Sequence, residues 1–258
     1  MDSSLEVAKN GGVVHFKLTH PASRNALSSS LCSQLQQQMQ VLASDEQIRI
    51  LVLQGSGGSF ASGADIAELE RLRSEPDALR AMYRQIRSVQ EQLYRLPQIS
   101  IAAIDGFCLG AGLSLALACD LRVASSGSVF AAPPARLGLL YSDTELWRLM
   151  NRIGAAAARD LLFTGRRLGA AEALRLRLID RLAATQELEA CMSELLQDLQ
   201  SCSPFSQRRS KRQLLRLEAM ALDSLAAAEH EAEDAFFEAD AVEGLRAFLE
   251  RRSPRFRS

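Results

Sequence analysis

The stretch from residue 100 to 125, SIAAIDGFCLGAGLSLALACDLRVAS, constrains the fold more than any other part of the chain. Residues 100–104 form a short apolar run that reads as a buried strand. After Gly106 and Gly110-Ala111-Gly112 the chain re-enters as an apolar helix over about 111–119, and residues 121–124 read as a strand again. Strand, glycine-rich turn, buried helix and strand in succession is the grammar of an α/β core. Small residues at the helix entrance expose free N–H groups, and the positive end of the helix favours an oxygen that is gaining negative charge. The same glycines also suit tight strand–helix packing, so the segment alone does not decide between structure and chemistry.

The rest of the chain extends this pattern. Residues 5–8 and 13–18 alternate apolar and polar around Asn10-Gly11-Gly12, a hairpin signal. Leu31, Leu35, Met39 and Leu42 recur at helical spacing behind a serine-rich cap, and residues 48–53 follow as a buried strand. A long charged helix is expected over roughly 75–95, and a strand over 128–131. From Thr144 onward the periodicity is helical, with breaks near Gly154, Gly165, Gly169 and Pro204. The expected organisation is an α/β core over 1–195 with a C-terminal helical extension over 196–258, packing on the core or on a neighbouring subunit.

A second loop, GSGGSFASGAD at 55–65, carries four glycines between a buried strand and a charged helix. Gly58 and Gly63 have P-loop spacing, but Ala64 and Asp65 stand where that motif needs lysine and Ser/Thr, so phosphate cradling is excluded. Cys32, Cys108, Cys119, Cys191 and Cys202 show neither disulfide nor zinc spacing and read as buried small hydrophobes. No metal site is expected. A net charge of −1 gives no global attraction to nucleic acid or anionic lipid. There is no run of membrane-spanning length and no secretory pattern at the N-terminus, so a cytoplasmic address and no membrane partner are expected.

Taken together, HPASRNALS at 20–28, SFASGADIAEL at 59–69 and DGFCLGAGLSLALACDLRVAS at 105–125 resemble the crotonase (enoyl-CoA hydratase/isomerase) superfamily. FTGRRLGAAEALRLRLID at 163–180 and AVEGLRAFLERRSPRF at 241–256 extend the resemblance over nearly the whole chain. The resemblance implies a spiral of strand-strand-helix units, then helices that build a homo-trimer or a dimer of trimers. It implies that the N–H groups of Ala64 and Ala111 form an oxyanion hole for an acyl-CoA thioester. It also implies that coenzyme A, as part of the substrate and with no separate cofactor, runs past Arg24, Ala64, Asp65 and Ile66, with Phe248 and Arg251 approaching from a neighbouring subunit. Arg177 departs from the family, which usually has glycine there.

The two glutamates that hydratases of this family use fall at Ser114 and Pro134, neither of which serves as a general base near neutral pH. Isomerase branches place an acid where Ser142 stands, one residue before Asp143, and Asp143 is better explained as a helix cap. FAAPPARLGLLYS at 130–142 resembles the methylmalonyl-CoA decarboxylases, which place a tyrosine at Tyr141 and likewise lack the paired glutamates. They carry histidine where this chain has Ala64. Decarboxylation of a malonyl-type thioester yields the enolate without any base removing a C–H proton. Three rival readings remain: a serine thioesterase built on Ser114, for which His15, His20 and His230 offer no positioned base; RNA binding through Arg208, Arg209, Lys211, Arg212, Arg251, Arg252, Arg255 and Arg257, where stacking aromatics are nearly absent; and a thioester-binding protein that has lost catalysis.

Overall fold

The computed structural model describes residues 4–222 and 233–256, so His230 and Arg257 lie outside the described residues. In chain order its strands and α-helices are β1 (Ser4–Asn10), β2 (Val13–Thr19), α1 (Ser29–Ala43), β3 (Ile50–Gly55), β4 (Ser59–Ala61), α2 (Ile66–Leu72) and α3 (Pro76–Arg95). There follow β5 (Ile99–Ile104), β6 (Phe107–Leu109), α4 (Ala111–Leu117), β7 (Leu121–Ser125), β8 (Val129–Ala131) and α5 (Asp143–Thr164). The chain then runs through β9 (Arg167–Gly169), α6 (Ala170–Arg175), β10 (Arg181–Ala183), α7 (Leu188–Ser201), α8 (Pro204–Leu222) and α9 (Ala239–Leu249).

Two sheets organise the core. The larger has the order β1-β2-β3-β5-β7-β10, and the smaller has the order β4-β6-β8-β9. Strands β3, β5 and β7 of the large sheet each hand the chain to the next short strand of the small sheet. The two sheets therefore advance together, one strand per turn of the spiral. Glycine makes the turns stackable: Gly106 has φ +72°, and a methyl group built on it would stand 1.9 Å from the Gly58 carbonyl oxygen. Only a residue with no side chain lets one turn lie so close to the previous one.

The hairpin expected around Asn10-Gly11-Gly12 joins β1 and β2 antiparallel, in register from Ser4 opposite Thr19 to Asn10 opposite Val13. Five short elements were not expected: α2, which starts in the loop after Ala64; β4 and β6, three residues each, in stretches read as glycine-rich loop and turn; and β9 and β10, each three residues long within the stretch read as helical. Three residues are too few to display a period of two. The cysteine reading holds for Cys32, Cys108 and Cys119, which are buried, whereas Cys202 is exposed and Cys191 half-buried. Burial pushes the Cys32 and Cys119 thiols up to about 12, the behaviour of inert core residues.

The helical extension does not begin at a clean seam. The expected boundary after residue 195 falls inside α7, whose Met192 and Leu195 pack with Val13, Ile50, Val52, Ile101 and Val123 on the large sheet. Beyond it, Lys211 on α8 reaches Asp120 Oδ2 at 2.6 Å and the Gln98 carbonyl at 2.7 Å. The C-terminal part folds back on its own chain. Arg84 on α3 forms a two-pronged ion pair with Glu233, Arg80 pairs with Asp234 at 3.0 Å, and the Phe236 ring meets Tyr83 edge-on at 5.2 Å. Helix α9 packs against α2 and against the turn at Leu137-Gly138. A methyl group on Gly138 would lie 2.2 Å from the Asp240 carbonyl carbon, and one on Gly244 2.4 Å from Leu137, so backbone meets backbone at this crossing.

Arg177, the departure noted in the sequence, lies at the end of α6. It adopts the left-handed conformation, φ +61°, just past α6, and the Leu178 N–H closes back on the Ala173 carbonyl at 2.8 Å. The helix ends as it would with glycine, at the steric cost that a side chain adds in that conformation. Among the described residues there is no group of ligands able to hold a metal ion, and no helix is long and apolar enough to cross a membrane.

Candidate active site

The site begins with one buried side chain that ties two loops together. Asn25, fully buried and left-handed at φ +58°, donates through Nδ2 to the carbonyls of Ser59 at 2.7 Å and Ser56 at 2.9 Å, and its Oδ1 accepts from the His20 N–H at 2.8 Å. Ser62 adds two more stitches, its N–H to the Arg24 carbonyl at 3.0 Å and its hydroxyl to the Ser23 carbonyl at 2.7 Å. The residues that stood out at 20–28 and 55–65 are thus one structural unit.

A bridge between Leu27 and Ala64 then orients the backbone. The Leu27 N–H donates to Gly63 O at 2.7 Å and the Asp65 N–H to Leu27 O at 3.2 Å, so the intervening Ala64 N–H is turned to the opposite side. Gly63 (φ +114°) brings that strand beside the entrance of α4: a methyl group on it would lie 3.7 Å from the Ala111 nitrogen, and one on Gly110 would lie 3.7 Å from the Gly63 Cα. Ala111 is the first residue of α4, where no earlier helical carbonyl serves its N–H. Among the described residues neither the Ala64 nor the Ala111 N–H meets a backbone acceptor. Gly112 holds the arrangement close, since a Cβ there would stand 2.4 Å from the Ala61 carbonyl oxygen.

Around this pair, Arg24 lays its guanidinium over the Phe107 ring at 4.7 Å. Asp65 caps α2, accepting the Glu68 N–H at 3.0 Å, and Ile66 opens that helix. Phe248 is 57% exposed near the end of α9, and Arg251 lies just beyond it with φ +54°. Both were expected to come from a neighbouring subunit; in the single chain they are carried by an α9 that already packs on its own α2. Glycine at 138 and 244 separately lets α9 touch the Leu137-Gly138 turn backbone to backbone.

The acyl end has a different character. Ser114 is buried one helical turn beyond Ala111, and Pro134 opens a short 3-10 turn. The helix cap expected at Asp143 is Ser142 instead. The Ser142 hydroxyl accepts the Glu145 N–H at 3.4 Å, while Glu145 Oε2 accepts the Ser142 N–H and hydroxyl, both at 3.0 Å. This reciprocal cap fixes a buried carboxylate that sequence reasoning passed over, because Ser-x-x-Glu reads only as a cap.

Tyr141 and Tyr83 converge on the same cluster. Burial raises the Tyr141 phenol well above its ordinary range, the Glu145 carboxylate raises it further, and Ser114, Cys108 and Tyr83 also act on it. Burial likewise raises Tyr83, again with Glu145 adding to the effect. Ser114 stands beside the Tyr141 hydroxyl and Ser142 beside that of Tyr83, yet neither phenol makes a hydrogen bond among the described residues. Tyr83 was invisible in the sequence, where it is one more position on the apolar stripe of α3.

The rival sites fare less well. Ser114 lies inside α4, its N–H bonded to the Gly110 carbonyl, so it is not on a nucleophile elbow. Of the histidines, His15 is on β2, and His20 bonds Ser23 Oγ at 2.5 Å. In the basic stretch, Lys211 is buried against Asp120, and Arg208 donates to the Glu46 carbonyl. Arg209 and Arg212 line an open groove of about 710 Å³ with Arg49, Arg95 and Phe205, on elements other than the two loops.

With this geometry in hand, comparison with known proteins is direct. The enoyl-CoA hydratase/isomerase family profile matches residues 8–258. The bovine (Bos taurus) enoyl-CoA hydratase domain-containing protein 2, mitochondrial, is 35% identical over 258 residues, covering 96% of this chain and 85% of that protein. The short-chain-enoyl-CoA hydratase of Clostridium acetobutylicum is 30% identical over 252 residues, covering 97% and 96%. The crystal structure of an enoyl-CoA hydratase/isomerase from Pseudoalteromonas atlantica superposes with a TM-score of 0.87 at 27% identity, covering 98% of this chain and all of that one (100%). The chain belongs to the enoyl-CoA hydratase/isomerase family, within the crotonase superfamily.

Proposed function

We propose that this protein binds an acyl-CoA thioester with its carbonyl oxygen between the N–H groups of Ala64 and Ala111 and stabilises the thioester enolate there. The observation that carries this reading is the approach of Gly63 to Gly110-Ala111, which sets two uncommitted backbone donors side by side. Donors held in advance where negative charge develops need no reorganisation during reaction. Coenzyme A runs past Arg24, Asp65 and Ile66, with Phe248 and Arg251 flanking it from α9 of this chain or of a neighbour. Trimeric assembly, singly or as a dimer of trimers, accounts for Phe205, Leu214 and Leu217 standing exposed on α8.

Hydration by two glutamates is not available to Ser114 and Pro134. A second reading, decarboxylation of a malonyl-type thioester, is favoured by Tyr141. The bond from the α-carbon to the carboxylate breaks, carbon dioxide leaves, and the electron pair passes into the enolate held by the two N–H groups. The Tyr141 hydroxyl, buried beside Ser114, orients the departing carboxylate. In an isomerase the base would have to come from the start of α5, where Asp143 is the first residue and Glu145 is buried and held by Ser142.

A mass-spectrometric time course of the purified protein with crotonyl-CoA, a 3-enoyl-CoA and methylmalonyl-CoA tests these readings. Loss of carbon dioxide from methylmalonyl-CoA alone supports the Tyr141 branch, and a double-bond shift supports an isomerase. Hydration of crotonyl-CoA at an ordinary rate overturns the argument from Ser114 and Pro134. No turnover of any substrate, with binding retained, identifies a catalytically degenerate thioester binder.

A further inference from the structure

One end of the large sheet carries a groove that the thioester reading leaves unused. It lies against Gln47 and Arg49, which precede β3, and Leu96 and Pro97, which precede β5, with α8 as its other wall. The thioester loops lie past the opposite ends of the same strands, a strand length of about 17 Å away. Six cationic side chains and a single acid, Glu46, line this groove of about 710 Å³. Several of the cations are already committed. Arg49 donates to the carbonyls of Leu199, Gln200 and Cys202, Arg208 to that of Glu46, Lys211 pairs with Asp120, and Arg95 with Glu91. Arg209 has only the Phe205 ring, 5.4 Å away. Arg212, and Arg216 in the adjoining hollow, make no hydrogen bond or ion pair among the described residues.

The uncommitted groups are in line. Phe205, Arg209, Arg212 and Arg216 follow one another at intervals of four, three and four residues, so they share one face of α8. Like charges at these intervals weaken a helix, and an anion bound along the row removes that cost. Of the exposed apolar residues of α8, Phe205 alone stands on this row. Leu214 and Leu217 lie about a third to a half turn round the helix, so assembly through the two leucines leaves the groove open. The row extends about 16 Å, one ring followed by three guanidinium groups, each with the planar fork that suits phosphate. Leu96, Pro97 and Pro204 add apolar surface beside the ring. One aromatic serves one base, whereas a nucleic-acid strand needs a succession of them.

We infer that this groove is a binding site for a nucleoside triphosphate, with the base on Phe205 and the phosphate chain along Arg209, Arg212 and Arg216. The site is separate from the thioester loops and does not depend on what they bind.

Calorimetric titration of the full-length protein with ATP, inorganic tripolyphosphate, a single-stranded oligoribonucleotide and butyryl-CoA, at low and high salt, tests the inference. ATP is expected to bind about tenfold tighter than tripolyphosphate, the scale of one stacked base, and both are expected to weaken as salt rises. Phe205→Ala should bring ATP down to the affinity of tripolyphosphate. Arg212→Gln and Arg216→Gln should each weaken both ligands about tenfold, with the melting temperature and butyryl-CoA affinity unchanged, because these side chains are exposed and unpaired. ATP should still bind when butyryl-CoA is saturating. No binding of ATP overturns the inference, as does ATP that butyryl-CoA displaces and that binds the Arg212→Gln protein undiminished, since it then occupies the thioester site. Equal affinity for ATP and tripolyphosphate removes the nucleoside, and tighter binding of the oligoribonucleotide than of ATP gives the groove to a nucleic-acid strand; either result overturns the assignment. Failure of butyryl-CoA to bind would count against the thioester reading alone.

Discussion

The two ends of the candidate site are built on opposite terms. At the loop end polar groups are closely tied: Asn25 satisfies two carbonyls and one N–H, Ser62 bonds two more carbonyl and backbone partners, and glycines 63, 110 and 112 bring chain against chain with no side chain between. The groups left over are the two N–H donors. At the other end, around Ser114 and Pro134, the hydroxyls of Tyr83 and Tyr141 are buried and the Glu145 carboxylate is held by Ser142. On the proposed reading, a grip on a thioester oxygen would rest on backbone geometry, which tolerates little change, while the groups that set the reaction would be side chains, which can be replaced one at a time. A family resemblance carried by the first region says little about the second.

The strongest way to break this contrast is Ala111→Pro. Proline fits the first position of a helix, so α4 should form, but the donor is gone, and turnover is expected to fall on the order of a hundredfold or more. Full activity in a folded Ala111→Pro protein, by steady-state assay, would remove the oxyanion hole from the account. Asn25→Ala probes the framework that aims those donors. It strands two buried carbonyls and one N–H, with an expected loss of about 3 kcal/mol in urea unfolding; a loss below about 1 kcal/mol would mean that water replaces the amide and the loops are not braced as described. The smallest effect belongs to Asp143→Asn. Asp143 is the first residue of α5, and the cap is Ser142, so turnover should change less than about twofold, whereas a hundredfold drop would restore the isomerase base to position 143.

Much of this was legible in the sequence wherever a residue's role is local. The hairpin announces itself in Asn10-Gly11-Gly12, the strand-to-helix turn in Gly106 and Gly110-Ala111-Gly112, and the loop 55–65 in its glycines, because positive φ and close approach demand that residue type nearby. What was hidden depends on packing between distant segments. Nothing in the apolar stripe of α3 distinguishes Tyr83 from Met82 or Ile86; its role comes from Phe236 and Glu145, far away in sequence. Glu145 was masked by its own cap, a local motif that explained it too completely. Strands β9 and β10 owe their state to partners β8 and β7 and have too little length to show a pattern of their own.

The ion pair between Arg84 and Glu233, 149 residues apart, has a consequence in time. A chain emerging from a ribosome holds the 20–28 and 55–65 loops and the start of α4 once residue 131 has appeared. The outer wall of Tyr83 waits for Phe236, and the Leu137-Gly138 turn waits for Gly244. The nascent chain thus holds the Ala64 and Ala111 loops about a hundred residues before Phe236 and Gly244 appear, roughly 5–20 s of synthesis at common elongation rates. Until then α3 is packed by α1, α2 and α4, and only the Tyr83 edge of its apolar face lacks its cover.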